Sequence, residues 1–223
     1  MKHLAFSLVA VALTTTAATA QTTLTESTRV FTVGTDIGDI QDPPLTFLQT
    51  VSDSAIVSLT RVEVGLHLVG TTPGSGFASE MYVSLNKDLG QSSVLLNQVG
   101  ITLGDPVGQG YDGWNITLRD DAINGDVHAA ILGSGTLTGI WAPDGRTEAT
   151  SSSRPATLSL FNNDAGNGAW RLVVADLAPG GTMRLESWSL TLTGYTAVPE
   201  PASVTALTGL GLLAVAVIRR RFS

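Results

Sequence analysis

Apolar residues in the central part of the chain recur at every second position, and this spacing restricts the fold more than any other feature. In residues 61–68 the even positions are all Val or Leu, whereas the odd positions are polar or Gly. The same alternation follows Trp114, Trp170 and Trp188. Because successive side chains of a strand point to opposite faces of a sheet, each segment predicts a strand with one buried face. No sustained helical period occurs between residues 21 and 197, so we expect an all-β domain.

Turn signals separate these segments. Gly follows Asn or Asp at residues 112–113, 124–125, 144–145 and 167–168. Such pairs favour tight turns in which the glycine has a positive φ. Many short strands with turns between them predict a β-sandwich or jelly roll.

The N-terminus has the pattern of a secretory signal peptide over residues 1–20. Lys2 is followed by an apolar run at residues 4–13, and small residues precede Gln21. This run is too short to span a bilayer, which favours cleavage between Ala20 and Gln21 by signal peptidase after export through the general secretion machinery. The alternative is an uncleaved N-terminal anchor.

The C-terminus carries a second apolar segment. Residues 202–218 are 17 uncharged positions, and Arg219–Arg221 follow them directly. This length is at the lower limit for a transmembrane helix, and a basic cluster behind such a helix stays in the cytoplasm. The segment therefore predicts a membrane anchor with the preceding domain on the outer side.

The whole C-terminal arrangement, residues 198–223, resembles the PEP-CTERM sorting signal of Gram-negative bacteria. The residues that carry the resemblance are Val198, Pro199, Glu200, Pro201, Arg219, Arg220 and Arg221. The resemblance implies that exosortase, an integral-membrane cysteine transpeptidase, cuts near the motif and releases the protein from a temporary anchor in the inner membrane. The mature protein is then expected at the cell surface or in the extracellular matrix. The alternative is a plain tail anchor whose prolines only begin the helix.

Composition excludes several classes of function. Between residues 21 and 197, eighteen acidic residues stand against eight basic ones, a formal charge of −10. Such a surface repels nucleic-acid phosphates and suits hard cations, so no nucleic-acid partner is expected. The chain has no cysteine, which excludes disulfides, thiol catalysis and cysteine zinc sites. The region is long enough to form one domain held together by its own core.

From about residue 55 to residue 195 the strands resemble the P domain, or P/Homo B domain, of proprotein convertases and many bacterial secreted proteins. The matching segments are 55–68, 80–86, 93–100, 113–122, 158–162, 168–176 and 185–193, with a first strand expected at 28–33. The resemblance implies a galactose-binding-like jelly roll for residues 21–197. This chain has Ser79-Glu80 where the family has Gly-Asp, and Asn163 where it has Gly.

Acidic loop residues are the candidate metal ligands. They are Asp112, Asp120, Asp121 and Asp126. Carboxylates joined by loop carbonyls suit Ca²⁺, and some P-like domains bind calcium, so a calcium site is one expectation. The alternative is a solvated acidic loop.

The tryptophans have a core and a ligand-binding interpretation. Trp114, Trp170 and Trp188 are in phase with the apolar residues of their strands, so we expect them in the core. Trp141 is less clearly in phase, which leaves open either a core position or an exposed platform for a sugar.

Catalytic residues are not evident. Only His67 and His128 follow the signal peptide, and neither lies in a nucleophile motif. We therefore expect a non-catalytic exosortase substrate that serves as a binding or structural module, with exopolysaccharide as one candidate partner. The alternatives are a lectin-like carbohydrate-binding module and an accessory domain for a separate subtilisin-like protease.

Overall fold

The computed structural model describes the central region of the chain. The described residues are 22–40, 42–71, 78–88, 90–108, 110, 112–131 and 135–197. The predicted signal peptide, its cleavage site at Ala20 and Gln21, the motif at 198–201, the helix at 202–218 and the arginines at 219–221 lie outside them. Among the described residues, no helix is long and apolar enough to cross a membrane.

The described residues form nine strands in two sheets. The strands are β1 (Thr22–Ile37), β2 (Leu45–Val51), β3 (Ile56–Gly70), β4 (Met81–Lys87), β5 (Gln91–Asn97), β6 (Gly113–Leu118), β7 (Thr136–Trp141), β8 (Gly168–Asp176) and β9 (Met183–Ala197). One sheet has the order β1-β9-β3-β6-β7 and the other β2-β8-β4-β5. Three short 3₁₀ helices, at 78–80, 127–129 and 158–161, complete the regular structure of this region. The prediction of an all-β sandwich is confirmed.

Strand β3 is central to the larger sheet. It pairs antiparallel with β9 on one side and with β6 on the other. Its side chains Val62, Val64, Leu66 and Leu68 are all buried, as the period of two predicts. Strands β6 and β7 instead pair in parallel, from Gly113–Thr136 to Leu118–Trp141.

The core lies between the sheets and contains the three tryptophans expected there. Trp114 and Trp170 are fully buried and Trp188 is 1% exposed. Trp170 packs edge-to-face on Phe161, with 5.2 Å between ring centroids, and Trp188 packs on Phe31 at 4.6 Å. Aromatic burial of this extent supplies much of the driving force for a domain that has no disulfide.

The Asn-Gly and Asp-Gly pairs are only partly turns of the expected kind. Gly125, Gly145 and Gly168 have positive φ, as predicted. Gly113 does not, and the expectation is wrong there. It begins β6 next to the backbone of Leu68, where an added Cβ would overlap the Leu68 carbonyl oxygen, so close approach of two strands requires the glycine.

Candidate functional site

Asp120, one of the expected metal ligands, instead caps a short helix. Its Oδ1 accepts a hydrogen bond from the Leu158 backbone N–H at 3.1 Å, and its Oδ2 accepts one from the Ser159 N–H at 2.6 Å. Both donors belong to the 3₁₀ helix at 158–161. The carboxylate thereby ties this helix to the end of β6 and satisfies N–H groups that the helix leaves unpaired.

We expect Asp120→Ala to destabilise the domain by about 1–2 kcal/mol, because two backbone donors lose their acceptor. Urea denaturation of the variant and the wild type measures this. Asp121→Ala is the matched control, since Asp121 is largely exposed and, among the described residues, forms one side-chain ion pair, with Arg119 Nε at 3.2 Å. A change within about 0.5 kcal/mol is expected there. Equal losses in both variants would contradict the capping role.

The four predicted ligands do not form one cluster. Asp120 and Asp121 share a shallow hollow of about 210 Å³. Asp112 is held through its backbone, which hydrogen-bonds to Gly70 and Gly135. Asp126 faces Arg146. Within the described residues, no group of three or more His, Cys, Asp or Glu side chains is arranged to hold a metal ion. Calcium binding by these residues stays a prediction.

Asp126 belongs to a buried ionic network centred on Asp144. Asp144 is fully buried, and its Oδ2 lies 2.7 Å from His128 Nδ1 while its Oδ1 accepts a hydrogen bond from Arg146 Nη1 at 3.1 Å. Arg146 Nη2 also donates to Asp126 Oδ2 at 2.6 Å. Arg154 donates to the Asp144 carbonyl oxygen at 2.8 Å. The network joins the end of β5 to the crossover between β6 and β7, because the Asn97 N–H also donates to Asp144.

The surroundings of His128 favour its positively charged form. Burial opposes its charge, but the hydrogen bond and charge of Asp144 outweigh burial and raise the pKa of His128 above its ordinary value. The second ring nitrogen, Nε2, lies 2.9 Å from the Ile101 carbonyl oxygen. Two acceptors for two ring nitrogens favour the imidazolium form. Because both nitrogens are occupied, this His–Asp pair leaves no position for a nucleophile.

Asp176 and Glu80 form an acidic pair that was not predicted from the sequence. Asp176 ends β8 and is 1% exposed, and Glu80 precedes its pairing partner Met81 at the start of β4. Within the part of the chain that the structure describes, Asp176 Oδ2 and Glu80 Oε2 are buried and have no hydrogen-bond partner. Burial, together with the nearby charge of Asp39, raises the pKa of Asp176 to about 6. Burial and the charge of Asp176 raise the pKa of Glu80.

Trp141 packs partly against the core at the end of β7. Its indole Nε1 donates to the Thr138 carbonyl oxygen at 2.9 Å. The sequence left open a core position or an exposed platform for Trp141, and the structure shows its side chain partly buried against the core.

A polar groove lies on the outer face of the five-stranded sheet. Cross-strand pairing places His67 between Ser187 and Asn115, and Gly65 between Ser189 and Thr117. With Val30 of β1 beside them, these residues surround a hollow of about 190 Å³. We call this hollow the sheet-face groove. Its small side chains give little local sequence signal, because they read as the ordinary polar face of a strand.

Comparisons with known proteins identify the C-terminal segment. Residues 197–221 match the family model described as the PEP-CTERM protein-sorting motif. A search of curated proteins finds no match to the chain. Among solved structures, the chain is similar to the serine protease of Aeromonas sobria, with 16% identity, a TM-score of 0.42, and coverage of 77% of this chain and 27% of that one. The same protease in complex with its chaperone gives 16% identity, a TM-score of 0.44, and coverage of 78% and 27%.

The sorting match defines the class of this protein, whereas the structural likeness does not. The chain spans about a quarter of the length of the protease chains it resembles. TM-scores of 0.42 and 0.44 do not establish a shared function. The resemblance to the P domain therefore stays a prediction. The match over residues 197–221 includes every residue of the predicted sorting motif. The motif indicates an exported protein that is sorted to the cell surface in Gram-negative bacteria, and it implies exosortase as the processing partner.

Proposed function

We propose that this exosortase substrate is a non-catalytic module that acts at the cell surface or in the extracellular matrix by binding or by forming structure. The observation that carries the proposal is the sorting motif at residues 197–221, which follows directly on the last strand of the sandwich. A domain delivered in this way is tethered outside the inner membrane until exosortase cuts the motif. Its exposed faces are then the surfaces that meet the matrix.

The surroundings of the two histidines support a non-catalytic role. His128 is occupied at both ring nitrogens and is 7% exposed. His67 faces outward from β3 and is paired across the sheet with Asn115 and Ser187. No carboxylate contacts it among the described residues. General acid–base catalysis by histidine needs a reactive group within hydrogen-bond reach and commonly an orienting carboxylate.

The proposal predicts loss of the C-terminal segment from the mature protein. Mass spectrometry of the secreted wild type should find a C-terminus near the motif, without Arg221. We expect Glu200→Ala to leave most of the protein at full length in the membrane fraction, because the motif loses its one charge next to the membrane. Glu148→Ala, an exposed substitution within the sandwich, is the matched control and should be processed like the wild type. A secreted wild-type protein that retains Arg221 would refute the proposal.

Carbohydrate binding is a second candidate function, and the sheet-face groove favours it. Exposed amide, hydroxyl and imidazole groups are the side chains that hydrogen-bond sugar hydroxyls. The groove lies on the sheet face, so a ligand would not depend on Trp141.

A further inference from the structure

The polar side chains of the sheet-face groove have no partner within the protein. In the described part of the chain, neither His67 nor Asn115 enters a side-chain hydrogen bond or ion pair, and the hydroxyls of Ser187, Ser189 and Thr117 are likewise unpaired. Further along the same strand, Glu63 does have a partner, because its Oε1 lies 2.8 Å from Arg61 Nε. Unpaired groups of this kind hold water until a ligand with matching donors and acceptors displaces it.

Two backbone features make this part of the sheet concave. An added Cβ at Gly65 would overlap the Ser189 hydroxyl, so the absence of a side chain at Gly65 leaves space at the base of the groove. A β-bulge at Glu186 lies beside it, since His67 pairs with Ser187 whereas Leu68 pairs with Leu185. Bulges bend a strand and increase its twist. The hollow is smaller than the roughly 300–1,000 Å³ of sites for drug-sized ligands, so it suits one unit of a longer chain lying across the open sheet.

The groove also differs in charge from the domain around it. Residues 21–197 carry a formal charge of −10, yet the groove contains no Asp, Glu, Lys or Arg. A polyanion would be repelled by the surrounding surface. Val30, which is 70% exposed, adds an apolar wall against which a ring can pack. A neutral ligand rich in hydroxyl groups, with apolar ring faces, complements this combination.

We propose that the sheet-face groove binds a neutral polysaccharide, with His67 and Asn115 as the main hydrogen-bonding residues. This inference rests on the proposed function, because it requires the domain to be displayed outside the cell. It assigns the ligand contact to β3, β6 and β9 rather than to Trp141 or the acidic loops.

Binding of the full chain in detergent to defined polysaccharides tests the proposal. The probes are a soluble neutral glucan, a galactomannan and the polyanion alginate, followed by affinity electrophoresis and calorimetry. The wild type should have a higher affinity for at least one of the neutral polysaccharides than for alginate. The double variant His67→Ala/Asn115→Ala should lose about tenfold in affinity, as expected for two hydrogen bonds, with an unchanged Tm.

The double variant Thr46→Ala/Thr50→Ala is the matched control. These residues lie on β2 in the other sheet and are also exposed, so their removal should leave binding unchanged. Equal affinity of the groove variant and the wild type would overturn the proposal. So would stronger binding to alginate, or no binding to either neutral probe. Processing of the same protein is followed separately by the mass of its C-terminus, so failed binding with normal processing refutes the groove alone, and an intact tail refutes the sorting alone.

Discussion

Asp144→Asn should destabilise the sandwich more than any other single polar substitution we predict, by about 3–5 kcal/mol. The carboxylate is fully buried, and its Oδ1 accepts a hydrogen bond from Arg146. Its Oδ2 accepts one from the Asn97 N–H and lies 2.7 Å from His128 Nδ1. An amide of the same shape cannot balance the positive charge of Arg146, and its NH₂ group would face donors. At about 2–4 °C per kcal/mol for a domain of this size, Tm should fall by roughly 6–20 °C.

Differential scanning calorimetry and urea denaturation measure this loss. Glu148→Gln is the control for an exposed carboxylate and should change stability by less than about 0.5 kcal/mol. The double variant Asp144→Asn/His128→Asn removes both partners of the His128–Asp144 contact, so its loss should be smaller than the sum of the two single losses by more than about 1 kcal/mol. A loss below about 1 kcal/mol for Asp144→Asn, or strict additivity, would contradict the buried network.

Asp176→Asn should have the opposite effect and stabilise the protein at alkaline pH by about 3 kcal/mol at most. The pKa of Asp176 is raised from 3.8 to about 6, mainly because burial disfavours the charged form. Because the pKa is higher in the folded state, the stability that protonated Asp176 contributes to the fold is fully present below about pH 3.8. It is lost as pH rises through about 6. The neutral amide avoids that loss, so the gain should be largest near pH 8 and disappear near pH 4.

Urea denaturation of both proteins from pH 4 to pH 8 tests this. Glu80→Gln should act in the same direction, since burial and Asp176 also raise the pKa of Glu80. Asp88→Asn should act in the opposite direction, because the Ala169 N–H lowers the pKa of Asp88 and so makes its ionised form the stabilising one. A loss of stability for Asp176→Asn at pH 8 would contradict the prediction. If a chelator then destabilised the wild type alone, a bound cation rather than a proton would balance Asp176.

Several features of the fold could be predicted from local pattern. The alternation in residues 61–68 predicts which side chains of β3 are buried, and the positions of Trp114, Trp170 and Trp188 predict the aromatic core. These succeeded because the strand period is set by backbone geometry and needs no information about distant residues.

The sites could not be predicted in the same way. Asp144 precedes a glycine and reads as a turn residue, yet it is the centre of a buried network that includes Asn97 and His128 on other segments. Asp176 and Glu80 are far apart in sequence and meet only because β4 pairs with β8. The four expected ligands were predicted from their positions in or beside loops, whereas the structure gives each of Asp120 and Asp126 its own donors.

The sequence by itself determined that this protein is exported, sorted by exosortase and built of β-strands. Membrane partition and side-chain alternation depend on a short run of residues, so a local pattern is sufficient for them. Only the tertiary structure decided which carboxylates are buried, which histidine lies between two acceptors and where uncharged side chains line a groove. These properties depend on strand pairing and on solvent exclusion across the whole sandwich, and neither is a property of a local segment.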